Sequence, residues 1–376
     1  MAHKKRTNEA NAFKNWIHDG TLKKWAKAIQ QVEKSFNAKK LLSLSVQLKD
    51  HELKGRVHLI AESFHELLSN DYVTSLRVLQ NAALLSISKE QGLKGFELWP
   101  LLHFIQIYGL DHFEESMEAI EVLTEHFSGE FAVRPYILRD ANKALSYLQK
   151  WSQSSNEHLR RLSSEGSRPR LPWGQILSNI IAAPKLTTAI LENLKYDSSL
   201  YVRKSVANHL NDISKDHPEF VLQLLKVWSQ KSPSQHRDKI QWILRHSLRT
   251  LIKAGNPKAL ILMGVNPKNK IAVSNFEIDR EQIKIGEKIT FSFNLLSSTQ
   301  ENVIVDYKIY FNKAGNKSSF KVFKLKKTSL EKNKKQWFEK SHSFKPVTTR
   351  TLYPGVHHLS LLINGKESSK KKFILK

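Results

Sequence analysis

The chain has 376 residues, 40% of them hydrophobic, and its 60 Lys and Arg against 35 Asp and Glu give a formal net charge of +25. This length allows two or three domains with at least one substantial core. The charge favours a polyanionic partner, either nucleic acid or an anionic membrane surface, unless the lysines only solvate the surface. Cysteine is absent, which excludes disulfides, thiolate metal ligands and catalysis by a thiol.

The N-terminal sequence MAHKKRTNEANAF is basic, but no apolar run of signal-peptide length follows it. No stretch approaches the roughly 18 uninterrupted apolar residues of a membrane span. We therefore expect a soluble, cytoplasmic protein that makes no membrane contact.

Apolar residues recur at spacings of three and four from about residue 11 to residue 264, which predicts amphipathic helices throughout. A weak internal period in HLRRLS, YVRKSV and ILRHSL places Arg160, Arg203 and Arg245 43 and 42 residues apart. This period lies within the ~40–47 residues of HEAT and armadillo repeats. The sequence thus predicts a HEAT-like helical solenoid over residues 1–264, although such an arginine often serves only to bond neighbouring turns.

After residue 264 the pattern changes to a predicted linker, residues 265–270, followed by alternation of apolar and polar residues. Seven short strands predict an immunoglobulin-like β-sandwich over residues 271–376, and Asn364-Gly365 predicts a tight hairpin. From Val265 onward, 21 Lys, 2 Arg and 9 acidic residues give a net +14. These lysines could contact phosphates or merely keep sheet edges soluble. The predicted strands are IAVSNFEID, KITFSFNLLS, VIVDYKIYF, SFKVFKL, QWFEKSHSF, HHLSLLI and KKKFIL.

The stretch EGSRPRLPWG, residues 165–174, interrupts two predicted helices. Arg168-Pro169 and Leu171-Pro172 are incompatible with a helix interior, because proline lacks a backbone donor and restricts the residue before it. The turn nevertheless contains a carboxylate, two guanidinium groups and a tryptophan, where turns usually have small polar residues.

Two more carboxylates, Glu130 in FSGEFAVRP and Asp212 in NHLND, lie where predicted helices end. Glu130 and Asp212 could simply cap helices or lie at solvated helix ends, and Glu165 could form a structural salt bridge with Arg168 and Arg170. Trp173 could merely fill a gap between repeats. A tryptophan in a basic, acid-lined turn is, however, what a site for a cationic aromatic ligand requires. Motifs for nucleotide hydrolysis, zinc proteolysis and the hydrolase elbow are absent and the histidines are scattered, so we expect no metal and no cofactor.

The strings NEHLRRLSSEGSRPRLPWG, DSSLYVRKSVANHLNDISKDHPEFVLQLLKVW and ILRHSLRTLIKAGNPKAL closely resemble the HEAT-like-repeat alkylpurine DNA glycosylases of the AlkC branch. Some members of that branch carry an immunoglobulin-like C-terminal domain. The resemblance implies a bacterial cytoplasmic enzyme that removes alkylated bases such as 3-methyladenine and 3-methylcytosine from duplex DNA without flipping them. By motif, the residues implied to face the lesion as the catalytic set are Glu130, Glu165, Trp173 and Asp212. We expect the DNA backbone to be held by Arg134, Arg168, Arg170 and Arg203.

This assignment is chemically reasonable because N3-alkylation makes the base cationic and a good leaving group. Carboxylates can stabilise the oxocarbenium-like sugar and position water, and the tryptophan face can attract the cationic nucleotide. We expect Asp212 or Glu165 to position the water, with Glu130 as a supporting group. The negative cluster costs DNA affinity that the net charge offsets, which predicts strong salt dependence.

No lysine in these motifs is placed for Schiff-base chemistry, so the sequence predicts a monofunctional glycosylase, acting as a monomer without an obligate protein partner. A non-catalytic HEAT-repeat scaffold for nucleic acid or protein would share the solenoid and the charge, but would not need three carboxylates near Trp173. An enzyme acting on RNA or on alkylated nucleotides has no separate motif here.

Overall fold

A computed structural model of the chain describes residues 12–268, 270–316, 318–347 and 350–376. The chain forms two compact units. One comprises residues up to Asp216 together with Ser234–Ile243, and the other comprises His217–Pro233 together with Leu244–Lys376. Within the ranges just given, no helix is long and apolar enough to cross a membrane.

The first unit is helical, as the spacing of its apolar residues predicts. Helix α13 shows the reason, because Val202, Val206, Leu210 and Ile213 recur every three or four residues and are all buried. Short 3₁₀ turns occur at Phe13–Trp16, Gly95–Leu98 and Pro184–Thr187. The α-helices are α1 Asp19–Val32, α2 Ala38–Leu42, α3 Ser45–Leu48, α4 Leu53–Leu67, α5 Tyr72–Ile87, α6 Trp99–Tyr108, α7 Phe113–Thr124, α8 Arg134–Arg139, α9 Ala141–Trp151, α10 Glu157–Gly166, α11 Ser178–Ala182, α12 Thr188–Leu194 and α13 Leu200–Ile213.

Two arginines of the 43-residue period make the same contact. Arg160 Nη1 donates to the carbonyls of residues 154 and 155, at 3.0 and 2.8 Å. Arg203 Nη1 donates to the carbonyls of residues 197 and 198, at 2.7 and 2.9 Å. In each case the acceptors lie six and five residues before the arginine and belong to the turn that precedes its helix. The period therefore marks a repeated structural contact, and the expectation that these arginines bond neighbouring turns is confirmed for both.

The second unit combines helices with a β-sandwich of immunoglobulin type. Its helices are α14 Pro218–Lys231, the end of α15 Arg237–Ser247, α16 Arg249–Lys253 and α17 Pro257–Leu262. Its strands are β1 Ile271–Ile278, β2 Gln282–Ile283, β3 Lys288–Ser297, β4 Glu301–Asn312, β5 Ser318–Leu330, β6 Gln336–Ser343, β7 Gly355–Ile363 and β8 Lys366–Leu375. All seven predicted strands are present, and the two-residue strand β2 is an addition.

The strands form a three-stranded sheet, β1-β3-β6, and a five-stranded sheet, β2-β8-β7-β4-β5. All neighbouring strands are antiparallel except β2 and β8, which pair in parallel. The inward residues of both sheets form one apolar core, which includes Phe291, Phe293, Val305, Ile309 and Phe373.

The predicted Asn-Gly hairpin joins β7 and β8. Asn364 and Gly365 have φ angles of 50° and 74°, as a two-residue hairpin turn with positive φ at both central positions requires. The Asn364 side chain accepts a hydrogen bond from the backbone N–H of Ile304 at 2.9 Å. A Cβ on Gly365 would lie 2.2 Å from Cα of Gly255, so this hairpin packs tightly against the turn between α16 and α17.

Candidate active site

The proline-rich turn separates α10 from α11, where the sequence predicts that the helices stop. The turn is held by Arg134, a fully buried residue at the start of α8. The Arg134 guanidinium donates to the carbonyls of residues 175, 166 and 169, at 2.6, 2.8 and 3.4 Å. Burial, followed by the neighbouring Arg168, lowers the pKa of Arg134 to about 10. The Arg134 guanidinium is buried against these carbonyls in this structure, and its contact with DNA stays a prediction.

Two of the predicted carboxylates lie on either side of one guanidinium. Arg168 donates from Nη1 to Glu165 Oε1 at 2.6 Å and from Nε to Asp212 Oδ2 at 2.9 Å. All three side chains are buried. Glu165 is near the end of α10 and Asp212 is near the end of α13, so the packing of these two helices brings the carboxylates together. The other oxygen of Glu165 accepts a hydrogen bond from Ser205 Oγ at 2.6 Å.

The third predicted carboxylate, Glu130, joins the same cluster through Arg161, which sequence reasoning missed. Arg161 Nη1 contacts Glu130 Oε2, and its Nη2 lies 3.4 Å from Glu165 Oε1. Burial lowers the pKa of Arg161, but Glu130 and Glu165 outweigh burial and hold this pKa above its ordinary value. The guanidinium also lies 5.2 Å from the ring centroid of the exposed Tyr201. A signal was available, because Arg161 and Glu165 are four residues apart on one helix face.

The cluster is balanced in charge, whereas the sequence predicts a negative one. Its carboxylates are those of Glu130, Glu165 and Asp212, and their cationic partners are Arg161, Arg168 and Lys215. Lys215 Nζ lies 2.9 Å from Asp212 Oδ1 and is the partner nearest to solvent, with 42% of its side chain exposed. A buried carboxylate is tolerated only with such partners, since an unpaired buried charge is costly.

The remaining predicted DNA ligands also have protein partners. Arg168 is buried between its two carboxylates, so it orients them and is not accessible to a phosphate. Arg203 donates to backbone carbonyls. Arg170 forms a two-point ion pair with Asp216 that is one-third exposed. Of these three arginines, Arg168 is buried, whereas Arg203 and Arg170 make contacts that are partly exposed.

Trp173 contacts Lys54 of α4 and Phe13. Its backbone adopts a left-handed φ of 66°, which is rare for a tryptophan. Lys54 of α4 donates to its carbonyl oxygen, and its ring contacts Phe13 edge-on at a centroid distance of 6.2 Å. Among the described contacts, none joins the indole ring to a carboxylate of the cluster. The turn thus directs its guanidinium groups and its aromatic ring to different neighbours.

Two family models match parts of this chain. The model described as DNA alkylation repair enzyme matches residues 111–251, and the model described as the C-terminal Ig-like domain of the uncharacterised protein YhaZ matches residues 272–376. The chain is 41% identical over 321 residues to the uncharacterised protein YhaZ of Bacillus subtilis (strain 168). This match covers 85% of this chain and 87% of that protein.

Among solved structures, the chain is similar to the alkylpurine DNA glycosylase AlkC of Pseudomonas fluorescens, bound to DNA containing an abasic site analogue. The TM-score is 0.88 and the identity is 39%, and the match covers 97% of this chain and 99% of that chain. The likeness therefore extends over both the helical and the β-rich regions.

Proposed function

The chain belongs to the AlkC-type family of DNA alkylation-repair glycosylases, and from this membership and its buried carboxylates we propose that it hydrolyses the N-glycosidic bond of cationic alkylated bases in duplex DNA. The proposed substrates are 3-methyladenine and 3-methylcytosine. The observation that carries the proposal is the cluster in which Glu165 and Asp212 flank the Arg168 guanidinium.

The chemistry of base loss explains why such a cluster is useful. As the bond between the sugar and a cationic base breaks, positive charge develops on the sugar. Carboxylates fixed in a site of low dielectric stabilise this charge more than water does, because they need no reorganisation during the reaction. The same reasoning applies to glycoside hydrolysis, where a carboxylate also guides the attacking water.

Asp212 is the best candidate for the group that meets the sugar and the water. Its Oδ2 is fixed by Arg168, while its Oδ1 is bonded to Lys215, whose half-exposed ammonium can turn toward solvent when substrate binds. Glu165, by contrast, has donors on both oxygens, and those donors are themselves largely buried. We therefore assign Asp212 the direct role and Glu165 a supporting electrostatic role, with Glu130 acting through Arg161.

The finer features of the reaction are part of the same proposal. The exposed indole face of Trp173 supports a cation–π contact with the lesion, and the one-third-exposed side chain of Arg170 supports a contact with a phosphate. We expect a monofunctional enzyme that uses no Schiff-base lysine. Recognition of lesion charge removes the need for base flipping, which costs a few kcal/mol. Because a monofunctional enzyme forms no Schiff base, borohydride should trap no covalent complex with DNA.

The experiment compares base release from duplex oligonucleotides that carry a single 3-methyladenine, 3-methylcytosine or neutral hypoxanthine. We expect both cationic bases to be released, and hypoxanthine at least ~100-fold more slowly, a barrier difference of about 2.7 kcal/mol. Equal release of hypoxanthine would contradict recognition of lesion charge. Binding of all three duplexes without release would favour a non-catalytic nucleic-acid scaffold, and release from methylated RNA alone would favour an RNA-directed enzyme.

A further inference from the structure

One oxygen of Asp212 is covered by a cation that is itself open to solvent. Oδ2 of Asp212 is held by Arg168, and only 8% of the Arg168 side chain is exposed. Oδ1 accepts a hydrogen bond from Lys215 Nζ at 2.9 Å. The Lys215 side chain is 42% exposed, whereas that of Asp212 is 4% exposed. A cationic group that approaches Oδ1 from solvent therefore competes with the Lys215 ammonium.

The local structure allows this ammonium to move while the backbone stays in place. Lys215 follows the last residue of α13 by two positions, and its backbone N–H donates to the Asp212 carbonyl at 3.3 Å. Its side chain, by contrast, is a flexible four-carbon stem with a compact charge at its end. The C-terminal end of a helix also favours a nearby cation. Release of Oδ1 thus needs only rotation of the lysine side chain, and the ammonium stays attracted to this surface.

A second exposed cation lies next to Lys215. Asp216, the following residue, forms a two-point ion pair with Arg170 of the proline-rich turn. Both side chains of this pair are about one-third exposed. Exposed ion pairs contribute little to stability because solvent screens them, so Arg170 can exchange Asp216 for another anion at small cost. Phosphate oxygens accept hydrogen bonds from arginine and lysine alike, and the end of α13 therefore offers two cations to a DNA backbone.

The exchange of Lys215 depends on the charge of the nucleotide that arrives. If Lys215 moved to a phosphate of undamaged DNA, Oδ1 of Asp212 would be left buried without a partner, which is unfavourable. If a cationic nucleotide enters at the same time, its positive charge takes the place of the ammonium. The phosphate then binds Lys215 while the lesion binds Asp212, and no buried charge is left uncompensated.

We propose that Lys215 is a specificity-determining residue: it covers Oδ1 of Asp212 in the free protein, and it moves to a DNA phosphate beside Arg170 when a cationic nucleotide replaces it. The proposal rests on the proposed function for the choice of DNA with a cationic lesion as ligand. An undamaged or neutral nucleotide gives no positive charge in exchange, so Asp212 stays covered in its presence.

The experiment measures how binding of the full chain to two duplexes depends on salt concentration, by fluorescence anisotropy. The duplexes have one sequence and carry an uncleavable sugar analogue at one position, either a cationic pyrrolidine or a neutral tetrahydrofuran. The variants are Lys215→Met, Lys215→Gln, which keeps a hydrogen-bond donor for Asp212 should the methionine variant not fold, and Lys215→Arg, which keeps the charge. Lys143→Met is the matched control, because Lys143 is a 40%-exposed lysine that is ion-paired with Glu114. Near-UV circular dichroism checks that each variant keeps its fold.

In a plot of the logarithm of affinity against that of salt concentration, one phosphate contact contributes a slope of about 0.9. We expect Lys215→Met and Lys215→Gln to lose about this much slope on the cationic duplex and less than about 0.3 on the neutral duplex. Lys215→Arg and Lys143→Met should change neither slope. Equal losses on both duplexes would identify an ordinary phosphate contact, and no loss on either would identify a purely structural ion pair. Either result, or a loss on the neutral duplex alone, would overturn the proposal.

Base release from methylated duplex DNA is measured separately on the wild type. If bases are released but the effect of Lys215 on the slope does not depend on the charge of the analogue, the exchange of Lys215 falls and the glycosylase function stands. If the charge-dependent slopes are present but no base is released, the proposed function falls and the exchange of Lys215 at a cationic site stands.

Discussion

Replacement of Arg168 by methionine should destabilise the first unit strongly. The guanidinium contacts Glu165 at 2.6 Å and Asp212 at 2.9 Å, and all three side chains are at most 8% exposed. Breaking a buried ion pair by removing one partner costs about 3–5 kcal/mol. In Arg168→Met, Glu165 keeps Arg161 at 3.4 Å and Asp212 keeps Lys215 at 2.9 Å. We therefore expect the lower end of that range, a loss of about 3 kcal/mol.

The assay is urea unfolding followed by far-UV circular dichroism, with separate transitions fitted for the two units. In a double-mutant cycle, the variant with both Arg168→Met and Asp212→Asn should lose less free energy of unfolding than the sum of the losses in the two single variants. The difference should be at least about 1 kcal/mol. The control, Arg139→Met, removes an exposed ion pair with Asp111 and should cost less than about 1 kcal/mol. A loss below about 1 kcal/mol for Arg168→Met, or additivity within about 0.5 kcal/mol in the cycle, would refute the reasoning.

Three further predictions concern single residues. Burial lowers the pKa of His209 to about 3, so from pH 7.5 to pH 5 the unfolded chain binds a proton that the native chain does not, and stability falls by about 2 kcal/mol. His209→Gln should flatten that decline in urea titrations, and an unchanged slope would contradict the prediction. Because Trp173 has positive φ, Trp173→Gly should be about 1 kcal/mol more stable than Trp173→Ala by the same assay, while both lose base release; equal stabilities would argue against strain. Gly365→Ala would place a Cβ 2.2 Å from Cα of Gly255 and should therefore lower the melting temperature of the second unit. The loss should be clearly larger than for the control Gly315→Ala, where φ is also positive but no atom lies within 4 Å of the added Cβ. Similar losses in the two variants would show that the close approach is unimportant.

The β-rich region could be predicted well because its signals are local. Alternating apolar residues located seven strands, and Asn364-Gly365 located a hairpin whose positive φ angles few other residue pairs adopt. The strand β2 escaped prediction because two residues, Gln282 and Ile283, carry no periodicity. Its parallel pairing with Ile374 and Leu375 depends on the folded sandwich.

The candidate site could be predicted only in part, because a sequence does not show in which direction each side chain points. The odd turn and its neighbouring carboxylates identified Glu165 and Asp212, which the structure brings onto one guanidinium. The sequence shows that Arg134 and Arg168 are charged, but not that their guanidinium groups point inward. Arg161 lies in an ordinary helical context, and its reach to a second carboxylate depends on how the helices pack. The spacing of four residues indicates the pair of Arg161 with Glu165, but its contact with Glu130 and the inward direction of Arg134 and Arg168 are tertiary features that leave no local mark.

The most direct test of the central claim is single-turnover release of 3-methyladenine from methylated duplex DNA by the wild type and Asp212→Asn, with DNA affinity measured in parallel. Asp111→Asn is the matched control, since Asp111 is an exposed, ion-paired aspartate remote in sequence from the cluster. If Asp212 stabilises the developing charge, Asp212→Asn should slow release by about 100-fold or more with nearly unchanged affinity, while Asp111→Asn stays at the wild-type rate. Release by Asp212→Asn at the wild-type rate would contradict the claim.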